Sequence, residues 1–332
     1  MRVVLIYRKP RVGAYSIEEL FHTVAGELDK QVEVVEYEVG DRGRVLLDAW
    51  RLRQLDADIY HVTGDINYLL LLLPREKTVL TVHDIGLLLH LTGLKQWIYK
   101  WVWFMLPIRY AHLVTAVSEE TRIRIEEHLG IRGKVTVITN CYGAVFRKTP
   151  QQFDQVKPRI LQVGTMPHKN LSRVIEALRG VPCCLVIMGP LDNDLVSKLT
   201  ETGIEYECHF HLTHEEVFMQ YVRADVVCFA SLHEGFGLPI IEAQVVGRPV
   251  ITSNISPMCD VAGDSACLVD PHDIESIRKG IIAVLSSQDY RKFLVDKGYR
   301  NAARHSPASV ASEYLQLYRG RVFKAKHEAG LP

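Results

Sequence analysis

The 332-residue chain is 48% hydrophobic and 23% charged, an ordinary globular composition with length for about two domains. Its 39 Lys and Arg balance 39 Asp and Glu, so no global field draws it to nucleic acid and no charged tail stands out. The seven cysteines are odd in number, include no CxxC pair, and place Cys183 beside Cys184 in an apolar run; this argues against a disulfide framework or zinc site and for reduced buried thiols, hence a cytoplasmic protein.

The opening MRVVLIYRKP has five apolar residues after Arg2, too few for the apolar part of a signal peptide and suited to a buried strand over 3–7. No run approaches the ~20 apolar residues of a membrane span. Ser16 and Glu19 form a capping box for a helix to about Leu28. A strand over 32–39, a helix over 43–55 and strands over 59–63 and 78–82 follow. A helix over 94–106 is ended by Pro107. A strand over 113–117 leads to Ser118, which caps a helix carrying Glu119 and Glu120 in its first turn, and a strand over 135–138 closes this half.

The pattern then restarts. Residues 151–158 are polar with prolines nearby and read as a linker. A strand over 159–163 precedes Leu171, Val174, Ile175 and Leu178, the apolar stripe of a helix. Continuous apolar runs over 183–188 and 226–229 read as strands of a sheet covered on both faces. Asp192-Asn193-Asp194 opens a helix after a strand and reads as an N-cap rather than a metal cluster. The end, about 273–319, is helical. Such alternation predicts two doubly wound parallel α/β domains facing one cleft.

HEGFGLPIIEA, residues 233–243, directly follows the strand over 226–229, where doubly wound domains bind ligands. Pro239 suits a first helical turn, so Gly235, Phe236, Gly237 and Leu238 form the loop entering a helix whose amides and dipole favour an anion. Glu234 and Glu242 would repel that anion; a carboxylate accepts hydroxyls instead. Glu242 lies three residues into this helix, about 4.5 Å along its axis. An anion between two hydroxyl-rich groups is the layout of a nucleotide diphosphate sugar.

HEGFGLPIIEA resembles the Glu-x7-Glu motif of retaining glycosyltransferases of family 4, which have the GT-B fold of two Rossmann-like domains. The resemblance implies that Glu234 contacts the donor sugar, Glu242 the ribose, and the amides of 235–238 the phosphates and sugar. VGTMPHKNLSRVIEAL, residues 163–178, resembles the family's strand, basic loop and helix, with Lys169 matching the lysine that neutralises the leaving diphosphate. AVSEETRIRI, VITNCYGAVF and GRPVITSNISPMCDVAGDSACLVDP extend the likeness, which is dense from 159 to 272 and thin before about 75. Thr165 stands where many relatives carry an arginine, His168 is a second donor beside Lys169, and the N-terminal glycine-rich loop is reduced to Gly13. His83 matches a histidine near the transferred sugar and acceptor, and Asp84 would orient its loop.

The resemblance implies an acceptor-side domain over 1–150, a nucleotide-sugar domain over 151–305 and a helix over 306–332 packing back on the first. It implies catalytic Glu234, Lys169 and His83, with Gly13, Thr165, His168, Gly235, Phe236, Gly237, Leu238 and Glu242 binding the donor. No cofactor or metal is expected, since amides and a lysine take the metal's electrostatic role. The partners would be a nucleotide sugar and a glycan or lipid-linked acceptor, as in bacterial polysaccharide or glycoconjugate assembly. Two alternatives remain: another GT-B enzyme, an epimerase or phosphorylase, or a catalytically weak subunit that binds nucleotide sugar. Residues 85–118 hold no acid but carry Lys95, Lys100, Arg109 and three tryptophans. Leu94, Trp97, Ile98, Trp101, Val102 and Met105 form one helical stripe, read either as a core-facing face or as a basic aromatic surface at 94–110 on the inner face of a membrane.

Overall fold

Five apolar residues behind Arg2 can satisfy their backbone away from water only by pairing on both sides, and they lie inside a parallel sheet. The computed structural model describes residues 1–9, 16–40 and 44–328. Two compact units make up the chain: Met1–Cys141 with Pro307–Pro332, and Tyr142–Ser306.

The first unit runs β1 (Arg2–Tyr7), α1 (Ser16–Leu28), β2 (Glu33–Glu38), α2 (Val45–Gln54), β3 (Ile59–Val62) and β4 (Thr78–Val82). It continues through α3 (Gly86–His90), α4 (Gly93–Tyr99), a π-helical turn (Lys100–Met105), α5 (Leu106–Tyr110), β5 (Leu113–Ala116), α6 (Glu119–Leu129) and β6 (Val135–Val137). Among the described residues its six-stranded sheet has the order β2-β1-β3-β4-β5-β6. The winding reverses between β1 and β3. Ser118 caps α6, its Oγ accepting from the Thr121 amide at 3.1 Å.

The second unit runs β7 (Arg159–Val163), α7 (Leu171–Ala177), β8 (Cys184–Met188), α8 (Asn193–Thr202), β9 (Glu205–His209), α9 (His214–Arg223) and β10 (Val226–Phe229). Then come α10 (Leu238–Val246), β11 (Val250–Ser253), α11 (Met258–Ala262), β12 (Cys267–Val269), α12 (Ile274–Ser286) and α13 (Gln288–Arg304). Its sheet has the order β12-β11-β10-β7-β8-β9, so the winding reverses between β7 and β10. Asp192 caps α8 by accepting from the Leu195 amide at 2.8 Å. Residues 142–150 belong with this unit, because Phe146 meets the rings of Phe218 and Tyr221 and the Thr149 amide bonds the Val246 carbonyl at 3.2 Å. The division therefore falls before the polar 151–158 stretch. All seven cysteines are free.

The last helix, α14 (Pro307–Glu328), lies on the first unit. Tyr318 Oη is 2.7 Å from His61 Nδ1, whose Nε2 is 2.7 Å from Thr81 Oγ1. Burial holds His61 neutral, its pKa pushed down to about 3. One ring nitrogen therefore donates and the other accepts, and this buried polar chain fixes how α14 sits on the sheet.

The helical segment expected over 94–106 does not stop at Pro107 but runs to Tyr110. Pro107 has no N–H for the Trp103 carbonyl, and Asn67 Nδ2 donates to that carbonyl at 2.8 Å instead. The π turn adds a residue and shifts the helical phase. As a result Phe104, Met105 and Ile108 are buried, whereas Leu94, Trp97, Ile98 and Val102 are exposed, Leu94 by 72% and Trp97 by 59%. The core-facing stripe is thus corrected: its first half faces outward, while Tyr99 and Trp103 stack at 5.2 Å against the core.

Asn67→Ala would remove the side-chain donor to the half-buried Trp103 carbonyl. Unfolding free energy should fall by about 1–3 kcal/mol, read as a lower urea midpoint at unchanged slope.

Candidate functional site

The reversal between β7 and β10 leaves the carboxyl ends of two adjacent strands uncovered, and the loops leaving them meet there. Gly164, at φ +86°, ends β7. A Cβ there would stand 3.0 Å from Lys169 Cγ, so only glycine lets the lysine stem fold back over this backbone. Asn170, at φ +62° and buried, donates from Nδ2 to the carbonyls of Ala230 at 2.9 Å and Pro271 at 2.7 Å. Gln162 Nε2 bonds the Lys169 carbonyl at 2.9 Å, and the Leu232 amide bonds the His168 carbonyl at 2.7 Å. These bonds fasten the β7–α7 loop to the end of β10.

Lys169 Nζ therefore stands 2.7 Å from Glu234 Oε1 and 4.8 Å from the centroid of Phe229. The two charged side chains are only 19% and 13% exposed. Each offsets the other's loss of water, and removing one leaves a poorly hydrated charge.

Beyond Glu234 the chain turns into α10 through Gly237, at φ +113°. Phe236 is 4% exposed, its ring centroid 5.6 Å from that of His305. The loop thus anchors itself with the aromatic ring and offers backbone, not the ring, at the helix mouth. The positive end of the α10 dipole lies there. One turn inside α10, Glu242 Oε2 accepts from Tyr221 Oη at 2.5 Å. Burial pushes the Glu242 carboxyl up to about 7, against the Tyr221 hydrogen bond and the Lys169 charge, which both pull it down.

In the first unit, a cavity of about 200 Å³ at the ends of β1, β3 and β4 is lined by Arg8, Asp65, Asn67, His83, Asp84 and Tyr99, among others. His83 Nε2 is 2.8 Å from the Thr63 carbonyl, so it carries the proton and donates. Burial lowers the His83 pKa, opposed by the Thr63 bond and the carboxylates of Asp84 and Glu18. In the neutral ring Nδ1 is then an acceptor. Asp84 Oδ1 accepts from the Gly86 amide at 2.8 Å and shapes the entry to α3.

The structure thus brings together Lys169, Glu234 and, across the helix mouth, Glu242, with Gly235, Phe236, Gly237 and Leu238 between the acids. Thr165 lies in the same β7–α7 loop, its Oγ1 2.9 Å from where a Cβ on Gly189 would stand. His168 precedes Lys169 and contributes its carbonyl. Gly13 and the Ser16 side chain lie outside the described residues. His83 belongs to the first unit. Among the described residues no group of three or more His, Cys, Asp or Glu could hold a metal ion. Sequence reading missed Asn170, which its place before an apolar stripe could have flagged, and Tyr221, which joins Glu242 across 21 residues with no local signal.

Residues 28–142 match the family described as Glycosyltransferase Family 4, and residues 146–301 match that described as Glycosyl transferases group 1. The chain belongs to the family 4 type glycosyltransferases. This glycosyltransferase is 27% identical over 299 residues to O-antigen chain mannosyltransferase B of Escherichia coli, spanning 82% of its own length and 76% of that relative's. It is 30% identical over 178 residues to MMP alpha-(1->4)-mannosyltransferase of Mycolicibacterium hassiacum, spanning 49% of itself but only 43% of that protein. Among solved structures it resembles sucrose-phosphate synthase from Thermosynechococcus elongatus, with a TM-score of 0.74 at 15% identity over 98% of this chain and 100% of that one. Alr3699/HepE of Anabaena, solved with UDP and glucose, gives a TM-score of 0.74 at 15% identity over 96% and 100%. With two parallel sheets and flanking helices, the glycosyltransferase has the GT-B fold.

The Glu242 carboxyl should titrate near pH 7. Carbon-13 NMR of glutamate-labelled protein, assigned with Glu242→Gln, would show this; a midpoint below about 5 would place the carboxyl in an ordinary aqueous setting.

Proposed function

We propose that the glycosyltransferase moves a hexose or deoxyhexose from a nucleotide diphosphate sugar to a glycan or lipid-linked acceptor, with retention at the anomeric carbon, in polysaccharide or glycoconjugate assembly. The observation that carries this reading is the Lys169–Glu234 pair beside the N-terminus of α10, with Glu242 one turn inside. The O-antigen mannosyltransferase relative and the UDP-bound fold neighbour support it, the former leaning toward mannose.

The barrier is departure of the diphosphate from the anomeric carbon. On this reading Lys169 exchanges Glu234 for a phosphate oxygen, and the amides of 235–238 face the other oxygens. One preformed donor at growing negative charge is worth about 3 kcal/mol. Glu234, released, accepts hydroxyls of the transferred sugar, while Glu242 accepts those of the ribose. The bond from the anomeric carbon to the phosphate oxygen breaks and the bond to the acceptor oxygen forms on the same face. The acceptor's proton passes to the leaving phosphate. His83, with Nδ1 as acceptor, orients a hydroxyl. Lys169 and the amides supply the charge compensation a metal would give, so no cofactor is needed.

No helix among the described residues is long and apolar enough to cross a membrane. The exposed Leu94, Trp97, Ile98 and Val102 share their segment with Lys95, Lys100 and Arg109 and with no acid from 85 to 118. This face suits an anionic bilayer carrying a lipid-linked acceptor.

Thermal-shift screening of nucleotide sugars would identify the donor. With it, Lys169→Ala and Glu234→Ala should each lower turnover by about 100-fold or more in an intact fold; near-normal transfer by both would refute the assignment. Turnover should survive exhaustive chelation of divalent ions. The protein should co-sediment with anionic liposomes and release with salt, and Trp97→Asp should weaken this; equal binding to neutral vesicles, or none, would count against the membrane face.

A further inference from the structure

Tyr221 lies fully buried two residues before the end of α9, a helix outside the motifs discussed so far. It is held at both ends. Its carbonyl accepts from Arg248 Nε at 3.0 Å, and the same guanidinium bonds the Val222 and Thr149 carbonyls at 2.8 and 2.9 Å. Its ring meets that of Phe146 edge-on, centroids 5.3 Å apart. What remains is the phenolic proton, and it is directed at Glu242 Oε2, 2.5 Å away. Burial, with the Glu242 carboxylate, keeps the phenol protonated well above its ordinary range, so it is a donor at every working pH.

We propose that Tyr221 is a positioning residue for nucleotide recognition: by occupying Glu242 Oε2 it fixes the carboxylate's rotamer and leaves Oε1 directed at the ribose diol. The inference rests on the proposed role of Glu242. A free glutamate would sample several rotamers and lose that freedom on binding, whereas one clamped by a buried phenol is already ordered. The phenol also favours the ionised carboxyl, the form that accepts hydroxyls.

Tyr221 faces Glu242 from α9, and Lys169, paired with Glu234, acts from the loop after β7. From α13, Gly298 and Asn301 meet α10 at Gln244, and the Tyr299 phenol packs against its C-terminal end at Gly247. Of the groups on β10, β11 and α11, Cys228 is buried with its thiol pushed up to about 12, Cys259 is half-buried with its thiol also pushed up by burial, and Asp260 is exposed and bonded to Ser256. Removing the phenol oxygen should therefore raise the pH at which Glu242 ionises.

Tyr221→Phe and Glu242→Gln would be compared with the wild type, using the nucleoside diphosphate that most stabilises the wild type and its 2′,3′-dideoxy analogue as probes. Calorimetry from pH 6 to pH 9 gives affinities, donor kinetics give KM and kcat, and melting temperature reports the fold. Tyr221→Phe should weaken ribonucleotide binding by about tenfold at neutral pH, with the loss in donor KM rather than kcat and partial recovery toward pH 9. Its preference for the ribonucleotide over the dideoxy analogue should shrink. Glu242→Gln should lose both that preference and the pH dependence. If Glu242→Gln behaves so but Tyr221→Phe matches wild type, or loses both nucleotides equally at every pH, the positioning role is overturned and the ribose role stands. If Glu242→Gln itself binds both nucleotides like wild type, the ribose role falls and the Tyr221 proposal with it.

Discussion

Two adjacent parallel strands from which the chain winds in opposite directions leave their carboxyl ends without a covering helix. At β7 and β10 that gap is crossed by loops whose polar groups must bond one another. Asn170 resolves this by adopting a left-handed backbone and sending its amide to the carbonyls of Ala230 and Pro271. The placement of the lysine follows from that fastening. It sets where Lys169 begins, Gly164 lets the lysine stem lie back, and the ammonium then meets Glu234.

The two motif glutamates receive opposite treatment. Glu234 faces a full positive charge, whereas Glu242 has a neutral phenol as its hydrogen-bond partner and only an indirect share of Lys169. Burial without a counter-ion favours the protonated acid, so the second carboxyl rises to about 7 while its partner holds it back. One acid thus sits in an ion pair and the other in a hydrogen-bonded pocket. These are different devices for groups with different proposed ligands.

Much of this was legible from residue order alone. Apolar runs marked β1, β4, β7, β8 and β10, because strands buried on both faces leave little room for polar residues. Ser118 and Asp192 cap helices where expected, since capping is local chemistry. What escaped was non-local or broke a period. β9, EYECH, is a sheet edge with exposed Glu205 and Tyr206, and lacks the apolar signature of its neighbours. The segment from 93 to 110 defeated a 3.6-residue period because the π turn shifts its phase. Tyr221 looked like any core aromatic, and its partner lies on another helix. Asn170 stood where a cap belongs, yet its side chain serves two distant carbonyls instead.

The Lys169–Glu234 contact carries a further implication for which molecules can settle here. While the pair is closed, each ion is the other's hydration. A bare phosphate that drew off the ammonium would abandon a carboxylate in a place where water reaches it poorly, and a neutral sugar that drew off the carboxylate would abandon the ammonium. On the proposed reading, only a compound bearing both groups at the right separation re-satisfies the two at once. The resting contact would then act as a filter against fragments, so that inorganic phosphate and free sugars, abundant in any cell, compete poorly with the intact donor.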